Sequence, residues 1–522
     1  MDLNATTASP KVAGIELQTF AGLYHTLQTA TVAALIFLVC ASIPKLKHRA
    51  QLAKLPTLGP DGGGKQGQGY LKSAKYVYSE GYQKFKNCVF RITTSDGEDN
   101  VVIPPILLPE LRKLPDDVLS FPKAVDRSME TKYTKIITDA KLSAHTIKSD
   151  LTPALTRLNP MICGEVDAAI RQYLPPCSDW TEVRMDSTLV DIVARVSGRV
   201  FVGPDLCQDP EYLECGSKYT IFVMQAVHAI KPIRPWLRPF LVPRLPEIQR
   251  LRDMEKRAAK HLQPIIRERV EAEKNDPNWQ KPDDMLQWLM TRSAEDGIFT
   301  IGEMAKLQLG LIFAAIHTTT MTATNILYTL AVTPEYIKHL REEIQNASVE
   351  NNGIITSRAL QQMEKLDSYM KEVTRLWPPG ITSFGRRVLK GITLSNGQYI
   401  PPGVIIEVPS QAVYADSEHY PDSETFDGFR HYKLRRGGTA TDHARHQFVT
   451  TNDTNLTFGY GRHACPGRFF AANEIKMILA RLILEFDIKM PGDATERYKQ
   501  MEFGRTTAPS PGKTIMLKRV AA

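Results

Sequence analysis

The segment Phe458–Ala472, FGYGRHACPGRFFAA, constrains this chain more than any other. Cys465 stands at its centre between Gly461 and Gly467. Glycines this close to a cysteine permit a tight loop whose backbone can approach a flat ligand and turn amide N–H groups toward the sulfur. Phe458 can then shield that sulfur from water. A cysteine taken alone is more often a small buried hydrophobe, but these neighbours favour a thiolate that serves as a ligand.

A thiolate held this way is a strong axial donor to haem iron. The string resembles the cysteine-ligand loop of the cytochrome P450 family, F-x-x-G-x-[RH]-x-C-x-G, filled by Phe458, Gly461, His463, Cys465 and Gly467. Two further motifs of that family lie upstream in the right order, and the resemblance covers the chain from Lys54 onward. It implies a mainly α (α+β) fold, with a large helical domain and a smaller β-rich lobe, in which Cys465 ligates the iron of a haem.

Length alone suggests several domains at 522 residues, yet no linker, repeat or charge block divides the chain after its first 70 or so positions. One catalytic domain over 70–522 is expected, with a core that the 43% hydrophobic content can fill. The seven cysteines, Cys40, Cys88, Cys163, Cys177, Cys207, Cys215 and Cys465, are odd in number and form neither a CxxC pair nor a Cys/His cluster. That argues against a disulfide framework and a structural zinc site. The net charge of +8 is too diffuse for nucleic-acid binding and suits a membrane surface or an acidic electron donor.

Thr29–Ile43 is uncharged, extends back to about Phe20, and is followed by Lys45, Lys47, His48 and Arg49. Its extended length fits a spanning helix; a cleaved signal would carry its basic residues ahead of the apolar run. The expected order is a lumenal tail over 1–19, an anchor over 20–43 and a basic, then Pro/Gly-rich hinge over 44–69. The cationic flank predicts a single pass, with the catalytic body on the cytoplasmic side of the endoplasmic reticulum membrane. Asn4 then begins a glycosylation triplet on the lumenal side, while those at Asn346, Asn452 and Asn455 stay unused.

Gly302–Ala331 reads as one long helix, apolar nearly all round and therefore interior. Within it, Ala314-Ala315-Ile316-His317-Thr318-Thr319 resembles the family's [AG]-G-x-[DE]-T-T segment, which crosses the haem face. The resemblance implies that Thr318 hydrogen-bonds dioxygen and its water, with Thr319 beside it. His317 replaces the usual acid and can relay protons near neutral pH.

Leu366–Trp377 is helical by pattern and sets Glu372 and Arg375 three apart on one face. The composite matches the family's E-x-x-R helix. Phe426–Arg430 resembles its F-x-P-x-R segment with Gly428 in place of proline, so Glu372, Arg375 and Arg430 form a buried charge network that seats the haem. Ile381–Phe384 should line the pocket, and one of Arg386 and Arg387 meets a propionate. His463 is a second propionate candidate. The W-x-x-x-R helix has no clear match, and Lys148 is its best substitute.

Val388–Leu394 and Gln398–Val408 read as strands joined at Asn396-Gly397, and Thr506–Leu517 as a closing hairpin. Ala472–Phe486 carries a helical core stripe, and Arg468 and Lys476 are candidates for the reductase-facing surface. Pro232–Pro246, with five prolines among apolar and basic residues, is either a packed irregular loop or a membrane-dipping lid.

No dinucleotide-binding G-x-G-x-x-G segment or flavin domain is present, so the resemblance implies electrons from NADPH through a separate cytochrome P450 reductase, with cytochrome b5 as a second partner. The expected reaction is hydroxylation, epoxidation or desaturation of a hydrophobic secondary metabolite, a terpenoid or indole-diterpene by family analogy. Alkaloid or polyketide substrates stay open. The alternatives in activity are a haem-thiolate isomerase or dehydratase needing no reductase, and a non-catalytic haem or lipid carrier.

Overall fold

The computed structural model describes residues 11–58, 66–137, 141–295 and 300–520. Asn4 and part of the hinge lie outside the described residues. Seven helices and five strands position the site and are labelled here. They are α1 (Lys11–Leu52), β1 (Phe90–Thr93), β2 (Asp99–Val102), β3 (Leu119–Ser120), α2 (Thr152–Tyr173), α3 (Met185–Val202), α4 (Pro210–Ile230), α5 (Ile301–Leu330), α6 (Glu364–Leu376), β4 (Ser383–Val388), β5 (Ile405–Val408) and α7 (Arg468–Glu485).

Helix α5 is the axis of the helical part. Its Thr300 N-cap hydroxyl accepts from the Glu303 amide, satisfying one of the first-turn donors. It then packs against α3, α4, α6 and α7. Burial on so many sides is why its sequence shows no polar face. Leu309, Ile312, Ile316, Ala323, Ile326 and Leu327 are all buried.

The larger sheet runs β1-β2-β5-β4-β3, with β2 and β5 parallel and the remaining pairs antiparallel. Register shifts between Ser383 and Arg386 in β4, where Phe384 takes a left-handed φ of 57°. This irregularity re-aims β4 next to the cysteine loop. Alternation along the strand then buries Arg386 and leaves Arg387 half-buried on the other face. Glu407 of β5, fully buried, accepts hydrogen bonds from Tyr78, from Asn100 at 2.8 Å, from Thr382 at 3.1 Å and from Arg505 at 2.6 Å. One carboxylate thereby ties the sheet to the C-terminal segment.

Several expectations change. Helix α1 does not stop at Ile43 but continues through Pro44, and Leu52 and Leu55 bury themselves against the sheet lobe. Gln66 opens another helix, so both ends of the 44–69 segment are helical. The strands around Asn396-Gly397 shrink to two-residue pieces, Ile392–Thr393 and Tyr399–Ile400, because Pro401 and Pro402 cannot extend the ladder. The hairpin forms between Met501–Phe503 and Thr506–Ala508, while Ile515–Arg519 joins Thr181–Val183 and Phe486–Lys489 in a separate sheet.

Candidate active site

The cysteine loop is held by its own backbone. Cys465 N–H donates to the Phe458 carbonyl at 2.8 Å, and Ala464 N–H to that of Gly461 at 3.0 Å. Gly459 and Gly461 have φ of 74° and 72°, where side chains are strained. A Cβ on Gly461 would also sit 3.1 Å from Arg112 Cβ. Gly467, by contrast, has an ordinary φ of −85° and open space beside it. Its amide and that of Arg468 point at the Cys465 sulfur. Burial raises the thiol's pKa, and these amides and the Arg468 charge oppose that rise. Phe458 packs edge-on against Phe448 at 5.1 Å, beside the sulfur's loop.

Above the loop, α5 is buried except along one stripe. Ala314 and Thr318 are exposed midway along an interior helix, and Gly310 has no atom within 4 Å of where its Cβ would be. Gly310 and Ala314 line a cavity of about 500 Å³ that Ala464 and Pro466 of the cysteine loop also border. Thr318 Oγ1 donates to the Ala314 carbonyl at 2.7 Å, the back-bond open to a mid-helix threonine. Thr319 is buried. His317 Nε2 lies 2.8 Å from the Ser217 carbonyl, so its ring binds α4 rather than the cavity. As a carbonyl can only accept, this nitrogen carries the proton.

The basic residues gather at one side. His463 Nε2 bonds Asp116 at 2.7 Å and stacks on Phe121 at 5.5 Å. The Arg386 guanidinium lies over the same Phe121 ring at 5.1 Å and over Phe384 at 4.4 Å. Burial pushes its pKa down to about 10, so it gains from an anionic partner. Burial alone would raise the Asp116 pKa, but the His463 hydrogen bond and the His463, Arg462 and Arg386 charges hold it below the usual carboxylate range. Lys148, in the widened turn Ile147–Leu151, lines the cavity. Arg387 does not join this group. Asp116 and Phe121 carried no motif signal; only the fold brings them to His463. Ile381 is buried in a different cluster and does not line the cavity.

Behind the loop, Glu372 and Arg375 pair in parallel at 2.8 and 2.9 Å, and Arg430 Nε reaches Glu372 at 3.1 Å. Lys476 is not at the surface. It is buried, donating to Asp367 of α6 at 2.6 Å and to the Leu360 carbonyl at 3.2 Å. Arg468 is half-buried and donates to the Cys465 carbonyl at 2.9 Å.

These parts suit a flat, anionic, iron-bearing macrocycle. The loop offers a single sulfur, whereas among the described residues no group of three His, Cys, Asp or Glu could hold a bare metal ion. The cavity wall is apolar where a ring would lie, its Lys148 and His463 edge matches carboxylates, and Arg386 lies next to that edge over Phe121, which also lines the cavity. Fold and site together define a haem-thiolate protein.

The comparisons agree. The family model described as Cytochrome P450 matches residues 128–516. The chain is 40% identical to cytochrome P450 monooxygenase TES1 of Alternaria alternata, over 98% of this chain and 97% of that one. It is 34% identical to cytochrome P450 monooxygenase braC of Annulohypoxylon truncatum over 95% and 98%, and 35% identical to paxP of Penicillium paxilli over 86% of each. The chain belongs to the cytochrome P450 family. It is a haem-thiolate monooxygenase whose cofactor is haem and whose electrons come from NADPH through a separate reductase.

Proposed function

We propose that the cavity under α5 takes a hydrophobic secondary-metabolite intermediate, of terpenoid or indole-diterpene type, and that the enzyme hydroxylates, epoxidises or desaturates it. The observation that carries this reading is the exposed stripe of Ala314 and Thr318 along an interior helix, with Ala314 bordering a cavity that Ala464 and Pro466 of the cysteine loop also line. Bound haem supplies the oxygen activation and the oxidising power. The chain's own residues do the rest. Cys465 ligates the iron, the Gly467 and Arg468 amides stabilise its sulfur, and Lys148, Arg386 and His463 hold the propionates. Thr318 holds the proton needed where oxygen is activated, and His317 with Thr319 steadies the helix around it. Leu307, Leu311, Ile136 and Phe313 exclude water and orient the apolar substrate.

In this reading α1 anchors the protein in the endoplasmic reticulum membrane. Residues 20–43 are spanning, 44–69 are the connection, and the catalytic domain over 70–522 faces the cytoplasm, where the reductase and cytochrome b5 dock. Support comes from Tyr24–Leu52, apolar enough to span and with its most apolar window wholly unburied, and from the basic residues that follow Ile43. Asn4 would face the lumen as a glycosylation site.

Two measurements test the proposal. Titration of the purified protein with terpenoids, indole-diterpenes and alkaloids should move the haem Soret band to shorter wavelength for the matching class, as ligand displaces water from the iron. Thr318→Ala should keep the spectrum but release most NADPH equivalents as hydrogen peroxide. Unchanged coupling in that variant would remove Thr318 from its role.

A further inference from the structure

We infer that the substrate carries a negative charge, a carboxylate remote from the carbon that is oxidised, and that Lys306 is the residue that pairs with it. This rests on reading the cavity as the reaction site and names what that site accepts.

Lys306, Gly310 and Ala314 all border the cavity, and Thr318 continues the same four-residue spacing along α5. Twelve helical residues separate Lys306 from Thr318, about 18 Å along the axis. On the reading that places Thr318 at the reacting end, Lys306 belongs to the opposite end of the cavity. Leu307, Leu311, Phe313, Ile136 and Ile137 supply an apolar wall. A ligand that fits has an apolar body and one charged end.

The charge of Lys306 has no answer within the protein. It is half-buried, yet among the described residues it makes no hydrogen bond or ion pair. Two half-buried cations elsewhere on this molecule are paired: Arg238 with Glu130 at 2.9 Å and Arg481 with Asp167 at 2.6 Å. Among the described residues the cavity's one carboxylate, Asp116, is already engaged by His463 at 2.7 Å and Arg462 at 3.7 Å. An ammonium partly withdrawn from water without a counter-ion is costly. A ligand carboxylate would relieve that cost with a charge-assisted hydrogen bond.

The test uses the full-chain holoenzyme and matched ligand pairs: a diterpenoid carboxylic acid and its methyl ester, and a long-chain fatty acid and its methyl ester. Binding is read by Soret titration and by equilibrium dialysis, which needs no response from the iron. We expect the acid of a pair to bind about tenfold more tightly than the ester, a difference of about 1.4 kcal/mol. The preference should vanish in Lys306→Met and survive in Lys306→Arg, with haem content unchanged in both. Equal affinity for acid and ester, or a preference that Lys306→Met leaves intact, overturns the inference. Haem loss from Lys306→Met also overturns it, by assigning the ammonium to a propionate. A Lys306-dependent preference confined to the fatty-acid pair would support the inference while refuting the terpenoid reading. In a preparation without a thiolate-haem spectrum, the same preference by dialysis would support it while the catalytic reading failed.

Discussion

Glu372 and Arg375 share two parallel hydrogen bonds of 2.8 and 2.9 Å in a site where their side chains are 0% and 3% exposed. Arg375 Nη1 also donates to the Tyr414 and Ser423 carbonyls at 2.8 and 2.7 Å, so the pair orders the chain that leads to the cysteine loop. Removing one partner of a buried pair leaves the other charge stranded, at about 3–5 kcal/mol. Glu372→Ala should therefore lower both the unfolding midpoint and the haem bound per chain. Arg430→Ala should cost less, since its side chain is 12% exposed. Full haem occupancy with an unchanged midpoint in Glu372→Ala would refute the seating role.

The neighbouring arginines of β4 should differ sharply. Arg386 lies buried between Phe121 and Phe384 on the His463 side, whereas Arg387 faces away. A hydrogen bond to a charged group is worth about 1.5–3 kcal/mol. Arg386→Met should thus speed haem transfer to a scavenging haem-binding protein by at least about tenfold, and Arg387→Met should leave the rate near the parent value. The reverse order would exchange their assignments.

What the sequence revealed and what it hid divide by the range of the interactions. The cysteine loop and the Glu372–Arg375 pair are local patterns, and local patterns carry their own geometry. Arg430 was legible because its segment has a characteristic composition. Asp116, 347 residues before His463, and Glu407, 329 residues after Tyr78, meet their partners only through the fold. His317 shows a subtler limit. Spacing places it on α5, but the packing of α4 alone decides that its ring meets Ser217. The tail illustrates the same point in strands, since an antiparallel partner for Ile515–Arg519 is chosen by the sheet it reaches and not by the nearest turn.

Glu474 of α7 makes stability depend on pH. It is fully buried, accepts one hydrogen bond from Ser197 at 2.7 Å, and its Oε2 has no partner among the described residues. Burial raises its carboxyl to about 8 from an ordinary 4.5, only partly countered by Ser197. Between those values the folded state holds a proton that the unfolded chain releases, so the stabilisation is full below the lower value and is lost as pH rises through the upper. The slope approaches about 1.4 kcal/mol per pH unit. Glu474→Gln, which cannot ionise, should lose less stability than the parent between about pH 6 and pH 8. Denaturant melts that remain parallel across this range would show that Glu474 does not carry the dependence.

The proline-rich segment should touch the bilayer. It contains only short turns of helix, Arg238–Leu241 and Val242–Arg244, and leaves Trp236 and Phe240 at 65% and 64% exposure. Arg238 bonds Glu130 and the Ile233 and Lys231 carbonyls, which fixes the base of the segment while the rings project outward. Aromatic side chains beside basic ones, held rigid and exposed, favour the interface between lipid heads and chains. In bilayers with brominated lipid chains, tryptophan emission of the full-length protein should be quenched, and Trp236→Phe should remove most of that quenching. Phe240→Ser should raise KM for a substrate that partitions into lipid more than for a water-soluble analogue, because only the former enters from the membrane. Quenching that persists in Trp236→Phe would place the segment in water and leave it a packed loop.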